Sequence, residues 1–181
     1  MTYCSALAGL ALAAVVATSA QAQAPAPAHP HAPAHAHTPS PGHAGHVQSA
    51  DEAQVRAVVT TYKDAITRMD VSQTPALFWP DSAIFENGGV EGTFAYYLEH
   101  HLGPEFADLA GFEFRNHEMA VEVDGDTAFV SETYTYHITF KDAARAPIER
   151  RGVATSVLRK RDDQWRFDVY HSSARPIRPA A

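Results

Sequence analysis

Charge is missing from the first fifty residues: no Asp, Glu, Lys or Arg stands before Asp51. A segment with no charge and few large apolar groups cannot carry a basic nucleic-acid arm or an acidic tail. Cysteine is nearly absent too, since Cys4 stands alone ahead of the apolar stretch Ala6 to Val16. Its position excludes a lipid-attachment role, where the cysteine follows the leader's core. Removal of the leader would leave no thiol for disulfides, thiolate nucleophiles or Cys-bearing zinc sites. A phosphate-cradling glycine loop is also missing, so no organic cofactor is expected. Fourteen basic residues against twenty-one acidic ones give no clustered Lys and Arg for a nucleic-acid partner.

What the amino-terminal segment does contain is a leader and a histidine-rich tract. The apolar stretch passes into Ala20-Gln21-Ala22, the small-x-small pattern accepted by secretory processing enzymes, so residues 1–22 read as a signal peptide cut after Ala22. The stretch is too short for a permanent helix across a bilayer of roughly 30 Å, and no stable membrane anchor is expected. The sequence therefore predicts a secreted protein of a Gram-negative periplasm. Residues 23–48 alternate Ala, Pro, His, Ser and Gly, too little apolar surface to offset backbone entropy, and read as a disordered tether. This region holds His29, His31, His35, His37, His43 and His46, six of the eleven histidines. Imidazoles at short intervals on a flexible backbone suit Cu, Ni or Zn, and the same composition also suits a plain soluble spacer.

The charged part, residues 49–176, is the size of one domain with a single core, followed by a tail at 177–181. Ser49 with Glu52 makes a helix capping box. Val55, Val58, Val59, Tyr62, Ile66 and Met69 then recur at helical spacing. A second short helix is predicted from Thr74 through Leu77, Phe78 and Trp79 to a stop at Pro80. Ser82 to Glu86 reads as a strand turning at Asn87-Gly88-Gly89. Thr93 caps a third helix that runs to His101 and closes at Gly103-Pro104. Alternation replaces helical periodicity afterwards, giving strands at Phe112 to Val123, Thr127 to Phe140, Glu149 to Lys160 and Gln164 to Ser172, with hairpins at Asp124-Gly125-Asp126 and Asp162-Asp163. The class is α+β: three N-terminal helices packed in a strongly curved antiparallel sheet of four long strands plus a short one.

The order of these elements, with Phe78-Trp79-Pro80-Asp81-Ser82-Ala83-Ile84-Phe85, Val90-Glu91-Gly92, Gly125-Asp126-Thr127-Ala128 and Gln164-Trp165-Arg166-Phe167 to His171-Ser172-Ser173, resembles the SnoaL-like branch of the cone-fold superfamily. That superfamily includes ketosteroid isomerases and nuclear-transport-factor-2-like proteins, and the resemblance spans Ser49 to Arg175. It implies a bent sheet and three helices around an apolar pocket, often in a homodimer built on the sheet's outer surface. It does not imply one activity, because one scaffold hosts many. The isomerase chemistry needs a carboxylate base and an oxyanion site of tyrosine plus protonated aspartate. By resemblance Tyr62 holds the tyrosine position and the base falls near Asn87, with Glu86 beside it. The strand Gly152 to Leu158 offers no partner acid, so a steroid-isomerase assignment is not supported.

Strand parity adds further candidates. Trp165, Phe167, Val169 and His171 share a side of the last strand, which places His171 at the end of an inward row as acid, base or ligand. Glu132 shares a face with Val130, Tyr134, Tyr136 and Ile138, where a carboxylate invites a raised pKa. Its plain alternative is an ion pair with Arg150 or Arg151. His171, Glu132 and Tyr62 are thus the candidate acid–base residues. Trp79, Phe85, Glu86, Tyr97, His101, Tyr134 and Trp165 are candidate ligand-binding residues, with Phe78, Tyr96, Phe112 and Tyr136 in the same aromatic pool. His100 or His101 with His171 and Glu132 could also form a separate metal site. The expected partner is a small, mostly apolar or aromatic molecule, held by an enzyme of the cofactor-independent isomerase, dehydratase or hydrolase-like kind, or by a non-catalytic binding or interaction module.

Overall fold

The computed structural model describes residues 49–177; the leader, the whole tether with its six histidines and residues 178–181 of the tail lie outside the described residues. Helix α1 (Ala50–Thr67) starts where Ser49 Oγ accepts the Glu52 backbone N–H at 3.0 Å, and Asp51 and Glu52 place negative charge on the first turn. Its stripe of Val55, Val59, Tyr62 and Ile66 is buried against the concave face of the sheet. Lys63 lies in the same stripe, four residues after Val59 and three before Ile66, and is 5% exposed.

A 3-10 turn (Thr74–Leu77) follows and ends sooner than the predicted second helix. Phe78, Trp79 and Pro80 instead open strand β1 (Phe78–Glu86). The cause is local: a residue preceding proline is pushed out of the helical region into extended backbone. Extension turns Phe78 inward, where its ring stacks on Phe94 at 3.7 Å and on Phe167 at 4.6 Å. Asn87 and Gly88 adopt φ of 49° and 91° and close a two-residue hairpin to β2 (Gly89–Gly92), the positive-φ turn that Asn-Gly favours. The third helical segment runs beyond its predicted end. It consists of α2 (Phe94–Tyr97), a π turn (Leu98–Leu102) and α3 (Gly103–Asp108). Gly103 donates its N–H to the Leu98 carbonyl, and any Cβ there would meet that oxygen at 2.6 Å. Pro104 then sits in a first helical turn, where its missing N–H costs nothing.

Four long strands complete the chain: β3 (Leu109–Asp124), β4 (Thr127–Phe140), β5 (Ile148–Arg161) and β6 (Gln164–Pro176). The sheet has six strands in the order β2-β1-β6-β5-β4-β3. All neighbours pair antiparallel except β1 and β6, which run parallel, a departure from the antiparallel expectation. Two irregularities matter for the site. In β3, Arg115 opposes Thr135 and Glu118 opposes Thr133, so β3 holds one extra residue around Asn116, whose φ is 50°. In β6, Phe167 opposes Leu158 and Val169 opposes Val157, so Asp168 is extra. Each extra residue reverses which side chains face the core beyond it. No helix among the described residues is long and apolar enough to cross a membrane.

Candidate functional site

Between the helices and the sheet's open end lies a cavity of about 400 Å³, a size that takes a small organic ligand. Its floor is aromatic: Tyr62, Tyr134 and Tyr170, with Phe112, Phe114 and Tyr136 from the neighbouring strands. Leu102 and Phe106 close the helical side, with Leu109 at the start of β3 beside them. Polar groups enter at one edge, where β1 and β6 end side by side: Glu86, Asn87, Ser172 and Ser173. Charged groups stand along the rim, namely Glu105, Asp108, Arg145 and Arg150.

Glu86 is the carboxylate best placed for chemistry. Its Oε2 accepts a 2.6 Å hydrogen bond from the Tyr97 hydroxyl, and both residues line the cavity. A phenol donating to a carboxylate fixes its direction, and the other oxygen, Oε1, accepts only a long contact among the described residues, from Asn87 Nδ2 at 3.5 Å. Beside it His101 sits among three carboxylates, with Nδ1 3.1 Å from Glu91 Oε2 and Nε2 3.2 Å from Glu105 and 3.8 Å from Glu86. Burial alone would lower the imidazole's pKa, but the Glu91 hydrogen bond and the charges of Glu105, Glu86 and Glu91 carry it above its ordinary value. Burial raises the carboxyl of Glu105, against the pull of His101. The tyrosine hydroxyls move the same way for one main reason. Burial pushes Tyr62, Tyr97, Tyr134 and Tyr170 well above the usual phenol range, so each remains an O–H donor at any physiological pH.

Asn87 does not face a substrate as a base would. Its backbone N–H donates to the Ser172 carbonyl at 3.0 Å, and its side-chain oxygen accepts the Ala174 N–H at 2.9 Å. It therefore fastens the end of β1 to β6 and holds Glu86 at the cavity edge.

One layer behind the aromatic floor is a second polar group that was only half visible in the sequence. Glu132 does face inward and is 2% exposed, but its partners are not Arg150 or Arg151. Lys63 Nζ lies 3.3 Å from its Oε1, and His117 Nε2 meets the same oxygen at 2.8 Å. The ammonium also stands 4.1 Å from the centre of the Tyr134 ring and 4.5 Å from that of Phe114. Desolvation holds Lys63 below the ordinary lysine pKa, opposed by the Glu132 charge. Glu132 supports the wall without lining the cavity. His117 reaches this group from the strand that carries the Asn116 irregularity.

Several sequence candidates fall elsewhere. His171 is exposed, opposite Thr155 and 6.5 Å from the Phe85 ring. The extra residue Asp168 reverses the alternation, so Tyr170 takes the inward place and His171 the outward one. Phe85 shares that partly covered location and is not a lining residue. Trp79 lies outside the cavity, with the guanidinium groups of Arg161 and Arg166 at 4.9 and 4.6 Å from its ring and its Nε1 donating to the Arg159 carbonyl at 3.0 Å. Trp165 is buried away from the cavity wall, donating to Asp51 at the start of α1 at 2.9 Å. Tyr96 is 58% exposed and rests against His100. The proposed grouping of His100 or His101 with His171 and Glu132 is not formed, and among the described residues no His or carboxylate cluster could hold a metal ion. Tyr62, Glu86, Tyr97 and Tyr134 do meet on one cavity, and His101 stands at its rim.

Comparison with known proteins places this geometry in context. A family model described as SnoaL-like domain matches residues 55–178. Among solved structures, a ketosteroid isomerase-like protein from Erwinia carotovora atroseptica is 23% identical, with a TM-score of 0.59 over 70% of this chain and 96% of that one. An NTF2-like superfamily protein from Salmonella enterica serovar Typhimurium is 16% identical, with a TM-score of 0.58 over 72% and 92% of the two chains. A type 2 hexachlorocyclohexane dehydrochlorinase is 14% identical, with a TM-score of 0.59 over 72% and 91%. At such identities the likeness is one of fold. No curated protein gives a significant match.

Proposed function

The chain belongs to the SnoaL-like family, and from that premise we propose that it is an exported pocket protein that binds a small, mostly aromatic or apolar molecule and removes a proton from it through Glu86. The observation that carries this reading is the 2.6 Å Tyr97–Glu86 hydrogen bond at the edge of an otherwise aromatic cavity. Isomerisation and dehydrochlorination, the reactions in the names of two of the structural neighbours, can share one step, loss of a proton from carbon. A positioned carboxylate supplies that step, typically contributing a factor of about 10² to 10⁴. Negative charge that builds on a substrate oxygen would meet the hydroxyl donors of Tyr62 and Tyr134, which burial keeps protonated, the Tyr134 oxygen being held in turn by a hydrogen bond from Tyr170. His171 has no part in this scheme.

The test uses 2-tetralone, a neutral aromatic ketone with acidic C–H bonds, followed by NMR in D₂O. The full chain should speed exchange of its α protons, and Glu86→Gln should return exchange to the buffer rate while His171→Ala changes nothing. Exchange that survives Glu86→Gln would remove Glu86 from the reaction. Occupancy is read separately with N-phenyl-1-naphthylamine, a neutral dye that brightens in apolar surroundings; Ile138→Trp, which fills the rim, should abolish the signal. Pairing of two copies across the outer sheet face belongs to the same proposal, supported by Phe129 and Val153 at 50% and 47% exposed. Val153→Glu should then convert a sedimenting dimer to monomer.

A further inference from the structure

Two cations line the cavity rim, and they differ in what they touch. Arg145 stands over the Phe140 ring at 3.6 Å and lies 3.8 Å from Asp108. Arg150, on β5 opposite Tyr136 of β4, has a half-buried side chain whose guanidinium makes no ion pair or side-chain hydrogen bond among the described residues. The carboxylates that could neutralise it are engaged with other groups. Glu86 accepts from Tyr97, Glu105 pairs with His101 and Asp108 with Arg145. A guanidinium keeps its charge at every accessible pH, and its fork of N–H donors matches a carboxylate in the plane of both groups. Placed against an aromatic wall and partly removed from water, such a charge gains most from an anion delivered by the ligand.

We infer that the cavity takes an aromatic or aliphatic carboxylic acid, its ring against the tyrosine floor and its carboxylate on Arg150. The inference rests on the reading of the cavity as a ligand site and adds the class of molecule. It also fixes orientation. Glu86 on β1 and Arg150 on β5 are separated by β6, so the acid group anchors at one end of the ligand and proton removal occurs toward the other. Two carboxylates, one on the ligand and one on Glu86, are thereby held apart.

Displacement of N-phenyl-1-naphthylamine from the full chain at pH 7 tests this with two probes of one shape, 1-naphthoate and its neutral amide. Naphthoate should displace the dye at a concentration at least about tenfold lower than 1-naphthamide, a difference of about 1.4 kcal/mol. Arg150→Ala should erase that preference by weakening the acid alone, with the amide reporting that the cavity survives, and Arg150→Lys should restore part of it. Equal displacement by acid and amide in the unsubstituted protein, or a preference unchanged in Arg150→Ala, overturns the inference while the ligand site stands. A dye that never binds overturns both. Arg145→Ala should leave the acid preference in place; its loss there would assign the preference to Arg145 and overturn the role given to Arg150.

Discussion

Removing Glu132 should expose how much of the cavity wall depends on a charge pair that no ligand touches. Glu132→Leu leaves the Lys63 ammonium 5% exposed, without its carboxylate and facing only rings and the Lys63 backbone's neighbours in the core. At 3.3 Å and an effective dielectric of 20, the lost attraction is about 5 kcal/mol. Part of it is recovered because the neutral amine becomes accessible, Lys63 already lying below its ordinary pKa. The expected loss is therefore about 3–5 kcal/mol, the range for breaking a buried pair. Lys63→Met should cost less, because His117 at 2.8 Å remains a partner for Glu132. The double variant Lys63→Met, Glu132→Leu removes both desolvated charges and should come within about 1.5 kcal/mol of the unsubstituted protein, since apolar replacement of a buried pair is often neutral. Urea denaturation of all four proteins gives the double-mutant cycle. Single losses that simply add in the double variant would refute the argument, because they would show that the two residues stabilise the fold independently.

Three further outcomes are expected. Gly152→Ala would drive its new methyl into the Tyr134 ring; overpacking of this kind costs about 1–3 kcal/mol, and the displaced ring should weaken dye binding more than a comparable loss of stability elsewhere on the sheet. His101 has a folded pKa above its unfolded value of 6.5, so its contribution to stability is complete below pH 6.5 and is lost as pH rises through the folded value. The stability gap between the unsubstituted protein and His101→Gln, measured in urea, should accordingly be larger at pH 6 than at pH 8.5, and a gap that grows with pH would contradict the sign; the side chain is 31% exposed, so the effect is modest. We propose, from the sequence alone, that the six histidines of the tether take up Cu or Zn; equilibrium dialysis should then show uptake by the full chain that deletion of residues 23–47 eliminates, and no uptake, or uptake that survives the deletion, would refute this.

Element order was legible because each signal was local. Ser49 with Glu52, Asn87-Gly88 and the Asp-rich turns use short-range hydrogen bonds or positive φ, and helical versus alternating apolar spacing separated α1 from the long strands. What lay beyond reach came from pairing between distant segments. The parallel alignment of β1 with β6 has no local signature, and β2 has little of one: Gly89–Gly92 alternates in burial, but with two glycines and a single apolar side chain it carries no apolar pattern to read. In the sequence Pro80 and Pro104 both look like helix stops. The first forbids a helix just before itself, as it must, but the second sits where a first turn tolerates it, a distinction decided by the π turn ahead of it. Lys63 could have been found, since positions 59, 63 and 66 complete one helical stripe; a lysine there demanded a buried partner.

The misplacement of His171 shows why the site was harder to read than the fold. Alternation holds along β6 from Trp165 to Phe167, both buried. A single added residue then decided everything beyond it, and its presence depends on partners that alternation does not reveal. Asp168 is held on the outside by Arg159 at 2.7 Å and by Arg161 at 2.9 Å, while Arg161 also grips Asp81 on β1. These pairs favour leaving Asp168 outward and unpaired in the ladder over turning a carboxylate into the core, where it would lose both arginines. The consequence runs along the rest of the strand. Tyr170 replaces a β-branched valine in the inward row and lines the cavity with Tyr62 and Tyr134, its hydroxyl hydrogen-bonded to that of Tyr134. The polar edge of the cavity is then set by which end of β1 meets β6, and there the pairing of Glu86 with Ser172 places a carboxylate on the cavity lining while His171 points outward.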